Sequence, residues 1–255
     1  MIPYILFSLF LLQTELSEVK TFNAYHFDID IIGNYYFQTD NTIIKIEALN
    51  NKINYKNPIL GSPDIVDISN PFKILVYYKN YNRLLFLNNQ LSIIGQEIFL
   101  DNLQLFNIDA ICSSSFGGFW IYDNNIKKIK HISNSLIISN ESISLINILP
   151  DNEYPYFLTE KNNSVYLGYK SKGIFVFNNS LKFIRLLPIL SDIKPVIEQN
   201  KIFYLANDSI FEYDMNYAEK NFLMSWDKQT SNIGKNGNKL YLYSENNLYI
   251  FKIKI

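Results

Sequence analysis

IVDISNPFKILVYYKNYNRLLFLNNQLSIIGQEIF, residues 65–99, decides the fold. The segment opens as a short apolar strand at Ile65 and breaks at Asn70-Pro71, where proline cannot continue a ladder. KILVYY follows from Lys73, and the polar turn Lys79-Asn80-Tyr81-Asn82 reverses the chain. RLLFL then returns from Arg83, and LSIIGQEIF supplies a fourth strand from Leu91. Four consecutive strands in about 35 residues make one antiparallel unit that cannot bury its apolar faces alone.

The unit recurs at intervals of about forty residues. Its first hairpin arm returns as NYYFQT from Asn34, GFWIYD from Gly118, SVYLGY from Ser164, KIFYLA from Lys201 and KLYLYS from Lys239. The second arms are TIIKI, IKKIKHI, GIFVF, SIFEY and LYIF, and the reversals between arms are rich in Asn, Asp and Gly. Those residues tolerate the positive φ that tight hairpins need. Inner-strand candidates precede each hairpin: HFDIDI, IVDIS, IDAICSS, YPYFLT, KPVIEQ and the weaker SNIG. The pattern predicts an all-β chain forming one β-propeller of about six four-stranded blades. No window shows a helical period.

A ring must close, because an unpaired edge strand exposes backbone donors and acceptors. The chain finishes right after the arm LYIFKIKI, so the last blade needs an outer strand from the N-terminal side. Two segments are candidates: TFNAY from Thr21, if a leader is removed, and YILFSLFLL from Tyr4, if it is kept. Ile2–Leu12 is apolar and too short to span a bilayer, and its length suits the core of a signal peptide. It lacks a basic start and a small-residue cleavage site. The expected division is therefore a leader over 1–20 and a propeller over 21–255, placed in the periplasm or cell envelope, with the cytoplasm left open.

Composition narrows the function. The net charge is −1 and the basic residues are scattered, so nothing forms the cationic stripe that nucleic-acid binding requires. The single cysteine, Cys112, forbids an internal disulfide and reads as a small buried hydrophobe. No hydrolase, zinc-protease, phosphate-loop or paired-cysteine motif is present. Asp64, Asp101, Asp151, Asp192 and Asp227 fall in the connections from one blade's outer strand to the next inner strand. In a propeller those connections gather around one channel mouth, where carboxylates could bind a cation, a sugar or a basic segment. Oxygen ligands alone would take calcium or magnesium, although the residues require no cofactor. The plain alternative is that these aspartates are good turn formers. Trp120 reads as core, whereas Trp226, in LMSWDKQT near a loop, reads as a surface anchor for a partner.

The stretch from Leu60 to Lys73, LGSPDIVDISNPFK, continuing into ILVYYKNYNRLLFLNNQL, resembles an uncharacterised family of exported, propeller-like proteins of Bacteroidota-type bacteria. GGFWIYDNNIKK from Gly117 is similar to that family's later hairpin. The resemblance implies a cell-envelope propeller and brings no catalytic residues. The expected function is a non-enzymatic protein-binding or assembly module with another envelope protein as partner, in a complex that can be membrane-associated without a transmembrane span of its own. The alternative is an envelope lyase or hydrolase, acting on a sugar or lactone at the acidic mouth.

Overall fold

The structure is a computed structural model and describes residues 14–149 and 152–253. It begins with a strand, β1 (Thr14–Thr21), that belongs to the last blade. Blade 1 is β2 (His26–Ile29), β3 (Tyr35–Thr39), β4 (Thr42–Ile46) and β5 (Lys52–Lys56). Blade 2 is β6 (Ile65–Asp67), β7 (Ile74–Tyr78), β8 (Arg83–Leu87) and β9 (Ile93–Phe99). In blade 3, β10 (Ile108–Ser113), β11 (Phe119–Asp123), β12 (Lys128–Ile132) and β13 (Ile138–Glu141) follow. Blade 4 holds β14 (Phe157–Lys161), β15 (Ser164–Tyr169), β16 (Gly173–Asn178) and β17 (Phe183–Leu187). Blade 5 holds β18 (Val196–Glu198), β19 (Lys201–Ala206), β20 (Ser209–Asp214) and β21 (Glu219–Ser225). Blade 6 takes β22 (Thr230–Asn236), β23 (Lys239–Ser244) and β24 (Asn247–Ile253), and β1 completes it in the order β1-β24-β23-β22. This is a six-bladed β-propeller.

The closing strand is neither of the two expected segments. YILFSLFLL lies within residues 1–13, outside the described residues, and TFNAY contributes only Thr21. The ladder instead runs TELSEVKT against β24, from Thr14 opposite Ile253 to Thr21 opposite Asn247. A bulge at Ser17 shifts its register, and the Ser17 hydroxyl donates to the Ile250 carbonyl at 2.8 Å. The propeller therefore includes residues 14–20, in place of the expected boundary at residue 21.

The two middle strands of a blade lie between its neighbours, and in most blades they are buried on both faces, whereas β4 and β20 alternate buried and half-buried residues. Every residue of β7 and β11 is buried, which is why these strands read as unbroken apolar runs. Outer strands such as β9 and β17 are largely exposed. Six buried apolar clusters result, one at each blade junction. Gly234 lets the ring close tightly, because a Cβ there would lie 2.9 Å from the Ile29 side chain of blade 1.

Trp120 and Cys112 are core residues of the blade 3–4 cluster, as expected. His131 packs against Trp120 with ring centroids 4.5 Å apart. Its Nε2 faces the Gly117 carbonyl at 3.0 Å and so carries the proton, leaving Nδ1 to accept from Ser139 Oγ. Burial holds this imidazole below its ordinary pKa. The unfolded chain thus takes up the proton first as pH falls. His131 contributes full stability above its unfolded pKa of about 6.5 and loses it as pH drops toward the lower folded value. Urea midpoints measured from pH 7.5 to 5 should fall for the wild type, and His131→Phe should flatten part of that slope. An unchanged slope in the variant would remove His131 as a source.

Candidate functional site

Inner strands end at one mouth of the channel in the turns that lead to the second strands, and several of these ends carry an acidic residue. Asp67 ends β6, Glu198 ends β18, Glu160 is the penultimate residue of β14, and Asp30 directly follows β2. Their carboxylates are the best local acceptors for neighbouring donors, and most are used between blades. Asp67 accepts from the Ser69 N–H at 2.9 Å and, across the junction, from the Ser113 N–H at 2.6 Å. Glu160 accepts from the Ser115 N–H at 3.1 Å, the Ser115 hydroxyl and Trp120 Nε1 at 2.5 Å, joining blade 4 to blade 3. Glu198 pairs with Lys235 of blade 6. Asp30 instead organises its own turn through the N–H groups of Ile32, Gly33 and Asn34, each at 2.9 Å, while its carbonyl receives Asn236 Nδ2 of blade 6 at 2.8 Å. These bonds make a polar belt that stitches the channel wall.

Inside the belt lies a cavity of about 160 Å³, lined by residues from five of the six blades. On blade 1, His26 and Asp28 both face it from β2. Asn232 of blade 6 fixes the histidine. Its Oδ1 accepts the Phe27 N–H at 3.0 Å, so its amino group points at His26 Nδ1, 2.9 Å away. The imidazole proton then sits on Nε2, 3.6 Å from Asp28 Oδ2. Nδ1 is bonded to Asn232, and among the described residues the Asp28 carboxylate has only this long contact, so Asp28 is the more available group of the pair.

Beyond the belt, the tips of these turns divide the face into two halves. Blades 1, 2 and 3 have longer turns tipped by Ile31, Ile32, Phe72 and Phe116, which are 73%, 56%, 61% and 58% exposed. Blades 4, 5 and 6 have two-residue turns, Asn162-Asn163, Gln199-Asn200 and Gly237-Asn238. At these inner turns three consecutive blades present an apolar crescent and the other three a polar one, although Tyr217 stands exposed at the outer turn of blade 5. Exposed Leu49 and Ile137, at the outer turns of blades 1 and 3, extend the apolar half.

The aspartates singled out from the sequence lie elsewhere. Asp64, Asp101, Asp192 and Asp227 are exposed, and none lines the channel cavity. Asp64 accepts the Lys79 N–H at 2.7 Å and Asp101 receives Asn82 Nδ2 at 2.5 Å, both within blade 2 and its exit loop. Asp192 donates its N–H to the Leu205 carbonyl at 2.9 Å. Asp151 lies outside the described residues. No group of three or more His, Cys, Asp or Glu side chains among the described residues is arranged to hold a metal ion. Trp226 is not the expected surface anchor. It is only 7% exposed, packs edge-on against Tyr249 and Phe251, and donates Nε1–H to Thr230 Oγ1 at 2.5 Å. Its loop folds back over blade 6, which covers the ring.

No family model matches the chain, and no curated protein does. Solved structures do. A virginiamycin B lyase from Staphylococcus aureus superposes with a TM-score of 0.61 at 15% identity, over 95% of this chain and 100% of that one. The Pan2 WD40 domain of Neurospora crassa gives 0.60 at 9% identity, over 96% and 97%. BamB from Moraxella catarrhalis gives 0.55 at 11% identity, over 89% and 82%. At these identities the likeness establishes the propeller fold alone.

Proposed function

We propose that this protein is a non-enzymatic propeller that docks a protein partner on the apolar crescent of its belt-side mouth, and that it serves an assembly of the bacterial cell envelope. The crescent carries the reading. Four large apolar side chains on adjoining blades stand in water while the same turns on the opposite half are polar. Neighbouring apolar tips of this kind mark interaction surfaces, and burying one such side chain is worth about 1.5–3 kcal/mol. The partner is accordingly a protein offering an apolar ridge flanked by polar groups. The envelope placement rests on the apolar segment Ile2–Leu12, which lies outside the described residues. Cell fractionation tests it, and recovery in the cytosol alone would refute it. Among the described residues no helix is long and apolar enough to cross a membrane.

Phe72→Ser with Phe116→Ser tests the docking face. Both side chains are exposed, so each change should alter stability by no more than ~0.5 kcal/mol. Partner affinity, compared by crosslinked capture from the host's envelope fraction, should fall about thirtyfold for each phenylalanine that anchors, corresponding to ~2 kcal/mol. Equal capture by the wild type and the double variant would refute the crescent as the contact.

A further inference from the structure

The channel cavity is charged in a way that the belt does not explain. Once the Glu198–Lys235 pair and the fully bonded Asp30 carboxylate are set aside, four charges remain on its wall: Asp28, Asp67, Lys161 and Lys194. Asp28 belongs to blade 1 and Asp67 to blade 2, whereas Lys161 belongs to blade 4 and Lys194 leads into blade 5. In a six-bladed ring, blade 1 faces blade 4 and blade 2 faces blade 5. The carboxylates and ammonium groups thus stand on opposite walls of one cavity. The ammonium groups of Lys161 and Lys194 make no hydrogen bond or ion pair among the described residues. Asp28 has only the long contact to His26.

Asp67 keeps its negative charge while accepting two backbone N–H groups, and among the described residues Asp28, Lys161 and Lys194 have no close ion-pair partner. Opposed charges in a partly enclosed site favour a guest that brings the complementary charge to each wall. A simple anion would meet Lys161 and Lys194 but also face Asp28 and Asp67, and a simple cation meets the reverse conflict. The space between the walls is partly apolar, bounded by Ile29, Ile68, Val196 and Ile197. Its volume of about 160 Å³ lies below the ~300 Å³ lower end for drug-sized ligands. We propose that the channel binds a small zwitterion, a free α-amino acid with an apolar side chain. Its carboxylate is held by Lys161 and Lys194, and its ammonium group by Asp28 with Asp67 behind it. The site adjoins the crescent at Ile31, which lines the cavity as well as the face, and it takes its ligand without a docked partner.

The test is calorimetric titration of the full chain with L-leucine, N-acetyl-L-leucine and L-leucinamide, after a thermal-shift screen of the twenty natural amino acids. Leucine should bind, and each analogue lacking one charge should bind at least about tenfold more weakly. Lys161→Met, Lys194→Met and Asp28→Asn should each weaken leucine by a similar factor while melting like the wild type without ligand. The analogue comparison uses the wild-type protein, so it stands even if a variant misfolds. N-acetyl-leucine binding as well as leucine would reduce the site to an anion site and overturn the proposal. Equal binding of leucinamide, retained affinity in the lysine variants, or no shift with any of the twenty would also overturn it.

Discussion

A chain that begins at Phe22 should fail to form a stable monomer, while a chain that begins at Thr14 should keep the whole propeller. The difference between them is β1, which supplies the outer ladder of blade 6 through the seven paired positions from Thr14 to Thr21. At about 1 kcal/mol net per backbone hydrogen bond, its loss removes several kcal/mol from a fold whose total stability is of order 10 kcal/mol. It also leaves β24 as a bare edge beside the buried Tyr241 and Ile250, ready to pair with another chain. Size-exclusion chromatography and urea melts of the two chains measure the effect. A TELSEVKT peptide added in trans should partly restore the shorter chain, because β1 is mostly exposed and contributes chiefly its backbone. Melting of the Phe22 chain within a few degrees of the Thr14 chain would show that the ring closes by other means.

Glu160→Leu should be the most damaging single substitution at the belt, costing on the order of 3–5 kcal/mol. The carboxylate receives the Ser115 N–H, the Ser115 hydroxyl and the Trp120 indole N–H, and the indole is buried. Removing the acceptor strands the buried indole N–H without water to replace it, while the exposed Ser115 donors turn to solvent and the tie between the blades is lost. Glu160→Gln retains one acceptor oxygen and loses the charge assistance, so it should cost roughly half as much. In a chain of this size 1 kcal/mol corresponds to about 2–4 °C in Tm. Trp120 provides an independent readout, since its fluorescence should shift to the red in the leucine variant. If leucine and glutamine destabilise equally, packing rather than the hydrogen bonds holds this junction.

The ring was legible because its middle strands are buried on both faces. Runs such as KILVYY and GFWIYD begin within a residue of β7 and β11, and the Asn-rich reversals between arms fall where the hairpins turn. TELSEVKT carries no such signature, for the opposite reason. As an outer strand it buries little, its only large apolar residues are Leu16 and Val19, and the bulge at Ser17 breaks any alternation between them. The loop aspartates occupy the kind of channel-mouth connection that often binds ligands, yet Asp64 and Asp101 serve the geometry of their own blade. The acids that join blades, Asp67, Glu160 and Glu198, recur near the ends of the inner strands in IVD, TEK and VIE. Aligning the inner strands with one another would have shown that repetition. The crescent needed the structure, since Ile32, Phe72 and Phe116 lie about forty residues apart and meet only when the blades close.

Site-specific photocrosslinking tests the central claim most directly. A photoreactive phenylalanine analogue placed at Phe72 or Phe116 in the native host should yield one discrete protein adduct at both positions, lost when Ile32→Ser is added. The same analogue at Tyr154, an exposed residue in the connection leading into blade 4 at the other mouth, should yield none. An adduct from Tyr154 with nothing from Phe72 or Phe116 would contradict the account and move the docking face to the opposite mouth.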